Sequence, residues 1–246
     1  MNFLFAFIYL CLQQTVSEPI ENELKGTTLC KYETTGDANQ GVGVNSEFIF
    51  AVTNRRISKI RKVTGKLLEQ WDGEESFPTG HFDSGVVVGD KLLYVAQGNW
   101  PLWPMASTVE VFNIYTMKHV ATHSFGIQLG SFTWMDRYNG YWWGGFASYD
   151  RYQRGAMDSY GKGHNVQVVK MDDNFQILEQ FQIPDQVRRT FEIMSNSGGS
   201  WGPDGYLYLT GHDLPQVYAM ALPKIGSVLH LAAVVDIPAI AGQGIA

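Results

Sequence analysis

Residues 197–212 read Ser-Gly-Gly-Ser-Trp-Gly-Pro-Asp-Gly-Tyr-Leu-Tyr-Leu-Thr-Gly-His. A glycine-rich start, a short apolar segment, a turn at Pro203, Asp204 and Gly205, and a second alternating segment make a β-hairpin. The turn residues reverse the chain, and the flanking side chains alternate between two faces. The same outline recurs upstream, so this hairpin is one copy of a repeat.

The first copy starts at Gln40-Gly41-Val42-Gly43-Val44-Asn45, runs through 48–52 and 57–63, and turns at Thr64-Gly65 into 66–71. The second starts at Asp83-Ser84-Gly85, turns at Gly89-Asp90 and continues through 92–96, 109–113 and 119–125. The third starts at Gly130-Ser131-Phe132-Thr133-Trp134, turns at Tyr138-Asn139-Gly140 and continues through 141–146, 166–171 and 177–183. The hairpin at 197–212, completed by 216–222 and 228–237, is the fourth. Each copy fits four short strands into about 45 residues plus insertions, the length of a propeller blade. The prediction is an all-β chain, a β-propeller of four-stranded antiparallel blades at 39–73, 82–126, 129–184 and 196–238, in one domain over 18–246.

The segment 241–246, Ala-Gly-Gln-Gly-Ile-Ala, matches Asn39-Gln40-Gly41-Val42 and predicts the inner strand of a further blade. A propeller closes its ring to remove exposed strand edges. The sequence therefore reads as five-bladed when complete, with its C-terminal blade truncated by about 40 residues, the alternative being an open four-blade ring with a strand left over. Residues 27–34 are expected to supply that blade's outer strand.

On these repeats the chain resembles the superfamily of WD40-like, NHL-like and lactonase-like β-propellers, a resemblance that covers nearly all of 18–246 and implies fold rather than chemistry. The secreted five-bladed group that includes plant-type glutaminyl cyclotransferases is similar in length, and its Thr-Gln-Gly start looks like Asn39-Gln40-Gly41.

Composition narrows the partners. Charged residues are 17% of the 246, below the roughly 25% of an average domain, and the formal charge is -6. A nucleic-acid partner needs a concentrated basic face, which this balance opposes. The one basic cluster, Arg55, Arg56, Lys59, Arg61 and Lys62, alternates with Ile57, Ile60 and Val63 and reads as the solvated side of an edge strand. Residues 3–12 are an apolar run, too short for the roughly 20 residues that cross a bilayer. They read as a secretory signal peptide ending near Ser17, which predicts a secreted protein with no stable membrane insertion after cleavage. Cys11 falls inside that segment, leaving Cys30, expected as a buried free thiol.

In propellers of this kind the start of the inner strand and the loop between the second and third strands emerge on one face, around the mouth of the central channel. The resemblance therefore places Gln40, His81, Asp83, Ser84, Ser131, Asn196, Ser197 and Gln243 there. The second set of loops varies most between copies. It carries Trp100 and Trp103 in the second, Tyr149 and Arg151 in the third, and His212 and Asp213 in the fourth. Aromatic faces beside hydrogen-bonding groups suit a glycan or another small organic ligand. The predicted ligand-binding residues are Gln40, Trp100, Trp103, Tyr149, Arg151, Asn196 and His212.

His81 and Asp83, two positions apart on an extended strand, point the same way and form a candidate acid–base pair for a hydrolase or cyclotransferase-like enzyme. The competing reading is a His-Asp contact that closes one blade onto the next. His212 and Asp213 are adjacent and diverge if their loop is extended. Trp134 and Trp201 read as packing between blades. Oxygen ligands for Ca²⁺ in the channel would come from Asp83, Asn196 and Gln243. One carboxylate is few for an ion that takes about six to eight oxygens, so no metal is assigned.

Overall fold

The computed structural model describes residues 23–25, 27, 38–73, 80–102, 104–127, 130–150, 163–238 and 241–246. The expected signal segment, Cys30 and most of 27–34 lie outside them, as do Trp103 and Arg151.

A short strand, β1 (Glu23–Lys25), precedes four antiparallel sheets that follow one another along the chain. The first blade is β2 (Gly41–Val44), β3 (Phe48–Val52), β4 (Arg56–Arg61) and β5 (Leu67–Asp72). The second is β6 (His81–Val88), β7 (Leu92–Gly98), β8 (Ala106–Asn113) and β9 (Lys118–Ile127). The third is β10 (Ser131–Tyr138), β11 (Tyr141–Ala147), β12 (Gln167–Met171) and β13 (Ile177–Gln182). The fourth is β14 (Gly198–Trp201), β15 (Leu207–Thr210), β16 (Gln216–Ala221) and β17 (His230–Asp236), with β1 added in parallel along its outer edge. Strands pair in sequence order within each blade, and β2 packs on β6, β6 on β10 and β10 on β14. The chain is an all-β propeller.

Alternation along each strand sends side chains into the gaps between blades, where three apolar clusters form the core. Phe50, Ile57, Phe82, Leu93 and Phe112 fill the first gap. Phe132, Phe146, Val111 and Met171 fill the second. The third holds Trp134, Trp143, Leu207 and Tyr218. Each such side chain, fully buried, contributes about 1.5–3 kcal/mol of hydrophobic free energy.

The inner strands approach closely because small residues lie where they meet. A Cβ on Gly41 would lie 2.5 Å from the Cα of Ser84 in the next blade. Residues 242–246 fit between β14 and β2 in the same way. Gly244 N–H donates to the Gln40 carbonyl (2.9 Å), Thr210 Oγ1 donates to the Gln243 carbonyl (2.6 Å), and Ile245 joins the cluster of Tyr208, Val217 and Val235. The likeness of this segment to residues 39–42 thus has a physical counterpart.

The basic cluster departs from its sequence reading. Its strand, β4, is third in the blade, between β3 and β5, so the edge is one strand further out. Lys59 is buried there, donating to the Ile114 carbonyl of the second blade (2.7 Å) with Nζ 4.4 Å from the Phe48 ring centroid. Arg56 and Arg61 reach outward to Asp72 and Glu47.

Candidate functional site

In an antiparallel blade the first strand begins at the end where the second finishes. The start of each inner strand therefore shares a face with the loop between strands two and three. The register shows this directly: His81 is opposite Gly98, Ser131 opposite Ala147 and Gly198 opposite Thr210.

His81 and Asp83 lie at the start of β6. Two residues, Asp83 and Ser84, bulge out of the ladder between the pairs Phe82–Gln97 and Gly85–Val95. The bulge re-aims the Asp83 side chain, the usual consequence of an extra residue in one strand. His81 Nε2 comes to 3.6 Å from Asp83 Oδ1, too long for a hydrogen bond, with the two side chains only 13% and 7% exposed. An ion pair would raise the histidine and lower the acid. Both shift the other way. Burial, with a smaller contribution from the nearby His212, lowers His81 to about 4, and burial pushes Asp83 well above the usual carboxylate range. Burial thus favours the uncharged form of both groups, and Asp83 Oδ2 is buried without a hydrogen-bond partner. The two side chains are thus not hydrogen-bonded to each other.

Aromatic groups rim this pair. The Trp100 ring centroid is 5.3 Å from that of His81 and 6.4 Å from that of Tyr149. Met105, Tyr149 and Ala147 form a small apolar cluster against which Trp100 and Met194 pack. The two methionines had no motif to mark them in sequence.

The remaining predicted residues divide. His212 is half-buried, and its Nδ1 lies 2.5 Å from Asp213 Oδ1. Their side chains meet because the loop bends at 212–215 instead of extending. Gln40 serves through its backbone, donating to Val52 and accepting from Gly244.

Asn196, expected to bind ligand, is committed to the scaffold. Its Oδ1 accepts from Trp134 Nε1 (2.5 Å), and its Nδ2 donates to the carbonyls of Gly198 (2.9 Å) and Thr210 (2.8 Å). It is 1% exposed. Trp134 and Trp201 do pack between blades, and both enter the same gap from opposite sides. Trp201 stacks on Tyr138 at 4.3 Å and meets the Trp143 edge at 4.8 Å.

Among the described residues no group of three or more His, Cys, Asp or Glu side chains is placed to hold a metal ion.

The fold and its mouth define a β-propeller with a buried acid–imidazole pair under an aromatic rim. No protein-family model and no curated protein sequence matches the chain. Solved structures do. A Bacteroides caccae protein of unknown function aligns over 86% of this chain and 65% of its own, at 11% identity and a TM-score of 0.50. The glutaminyl cyclase of Myxococcus xanthus aligns over 84% of this chain and 74% of its own, at 12% identity and a TM-score of 0.54. Virginiamycin B lyase from Staphylococcus aureus aligns over 75% and 53%, at 10% identity and a TM-score of 0.45. The chain thus spans just under two thirds of the Bacteroides protein's length.

Proposed function

We propose that the channel mouth binds a small neutral molecule with one apolar face and several hydroxyl-type groups, a glycan being the simplest such ligand. The observation that supports this most is the buried His81–Asp83 pair beneath the Trp100 and Tyr149 rings. Burial favours the uncharged form of both groups, and uncharged carboxyl and imidazole groups each donate and accept, as hydroxyls do. Burying an ion beside them without a counter-charge would be costly. Flat rings supply the apolar contact.

The test is calorimetric titration with the methyl glycosides of glucose, galactose, mannose and N-acetylglucosamine. Binding by at least one of them, weakened about tenfold or more by Trp100→Ala with the melting temperature retained, is expected. Absence of binding by all four sinks the glycan reading.

A second reading uses the same pair as a catalyst. A carboxyl whose burial favours the protonated form, next to an imidazole whose burial favours the neutral form, sets an acid beside a base, and groups shifted this way gather at active sites. The Myxococcus cyclase contributes a shared fold here, so cyclisation of a peptide with N-terminal glutamine is the first reaction to assay. Asp83→Asn separates the two readings, since it preserves hydrogen bonding and removes the acid. We also place the protein in the secretory pathway on the apolar run at 3–12, which N-terminal sequencing of secreted material tests.

A further inference from the structure

The hydroxyl of Ser131 is 1% exposed and has no hydrogen-bond partner. Hydroxyls around it are engaged. Ser107 Oγ donates to the Gly130 carbonyl and accepts from Phe132 N–H, Thr133 Oγ1 donates to the Asn196 carbonyl, and Ser195 Oγ accepts from Ser148 N–H. These bonds knit the second blade to the third and the third to the fourth. Ser131, at the start of β10, takes no part in that stitching.

Its position follows from Gly98. A Cβ at residue 98 would run into Ser131 Oγ, so the hydroxyl fills the space that a side chain there would take. Gly98 is the cross-strand partner of His81, and partners on an antiparallel ladder project from the same face of the sheet. Ser131 Oγ therefore lies on the His81 face of the second blade. Asp83 is on that face too, within 3.6 Å of His81, and its Oδ2 is likewise buried and unpartnered. Native structures leave few buried polar atoms unsatisfied, and two of them on one face at one end of adjacent inner strands call for a shared partner.

We infer that Ser131 Oγ and Asp83 Oδ2 form a deep polar subsite between the inner strands of the second and third blades, which takes a neutral hydroxyl of the ligand entering past Trp100. This rests on the reading of the mouth as a small-molecule site. Gly98 is then a specificity residue, because a larger residue would displace the serine.

The test extends the titrations with the same four methyl glycosides to Ser131→Ala, Asp83→Ala, Asp83→Asn and Gly98→Ala. Ser131→Ala removes an atom that bonds to nothing in the protein, and Asp83→Ala removes a carboxyl group whose Oδ2 is unpartnered and whose charge burial disfavours, so both are expected to retain cooperative melting. The subsite predicts that each weakens binding about tenfold, that Gly98→Ala weakens it comparably, and that Asp83→Asn stays within about threefold of the parent. Parent-like binding by Ser131→Ala and Asp83→Ala, alongside loss in Trp100→Ala, overturns the subsite and leaves the mouth reading standing. No glycoside bound by the parent overturns both. Should Asp83→Ala fail to fold, Ser131→Ala decides alone.

Discussion

The indole Nε1 of Trp134 donates to Oδ1 of Asn196 over 2.5 Å, which fastens the inner strand of the third blade to the turn that starts the fourth. The amide's other end holds Gly198 and Thr210, so one side chain satisfies three groups in the same gap. Asn196→Ala leaves the indole N–H buried with no acceptor and takes one donor each from the Gly198 and Thr210 carbonyls, the second of which still accepts from Ser197 N–H. A net hydrogen bond is worth about 1 kcal/mol, and an orphaned buried donor costs about 1–3 kcal/mol more. The expected loss is about 3 kcal/mol, a fall in melting temperature of about 6–12 °C for a domain of this size. Thermal and urea unfolding check it. A loss below about 1 kcal/mol means that the clasp is not what joins these blades.

The His81–Asp83 pair makes stability depend on pH in two opposed ways. Asp83 titrates well above its ordinary 3.8 because burial disfavours its charge. Its stabilising effect is complete below that ordinary value and is lost as pH rises through the folded value. His81 is lowered from 6.5 to about 4, so its contribution is complete above 6.5 and is lost as pH falls through about 4. Asp83→Asn should therefore melt a few degrees above the parent at pH 8, with the gap closing toward pH 4. His81→Gln should flatten the parent's loss of stability between pH 6.5 and 4. An Asp83→Asn variant less stable than the parent at pH 8 would show that the carboxylate is charged and paired.

Much of this architecture was legible in the sequence, for a local reason. Hairpins write themselves in alternation and turn residues, and Phe48–Val52, Tyr141–Ala147 and Gln216–Ala221 fall where the repeat put them. The site was legible only in outline. Asn196 looks like a free polar residue because its partner Trp134 is 62 positions away in another blade. Lys59 sits in a charge-rich run, and nothing nearby signals the Ile114 carbonyl that draws it inside. The ionisation of His81 and Asp83 is set by burial, which the spacing of two residues does not encode. Ser131 holds in the third blade the place that His81 holds in the second, opposite the last residue of the neighbouring strand. That its hydroxyl is left unpartnered follows from its packing against Gly98 in another blade, which the local sequence does not show.

Glycine substitutions separate close approach from backbone conformation. A Cβ on Gly41 meets the backbone of Ser84 at 2.5 Å, and neither inner strand can yield without opening the first two blades. Gly126 has φ of 65° and nothing near its Cβ position, so alanine there costs only the left-handed conformation, about 1–2 kcal/mol. Gly41→Ala is expected to cost about 3 kcal/mol or more, or to prevent folding. Parallel melts of the two variants test this, and equal losses would mean that the inner strands are not locked together.

The segment 242–246 joins the two ends of the series of blades, and its removal is the most direct test of how the ring holds. Gly244 N–H bonds to the Gln40 carbonyl at 2.9 Å, and a Cβ on Gly198 would lie 2.6 Å from the Gln243 carbonyl, so the segment is packed against both flanking inner strands. Deleting it uncovers inner-strand backbone of the first and fourth blades and leaves Thr210 Oγ1 without its acceptor. Exposed strand edges favour intermolecular pairing. The deletion should lower the melting temperature by about 10 °C or more, on the order of 3 kcal/mol or more at about 2–4 °C per kcal/mol. It should also raise the apparent mass in light scattering as edges pair between molecules. Ile245→Asp is the gentler companion: it keeps the backbone and places a charge against Tyr208, Val217 and Val235. If both variants melt as the parent does and stay monodisperse, the four blades hold together through their own three gaps, and the segment is a passenger on the ring.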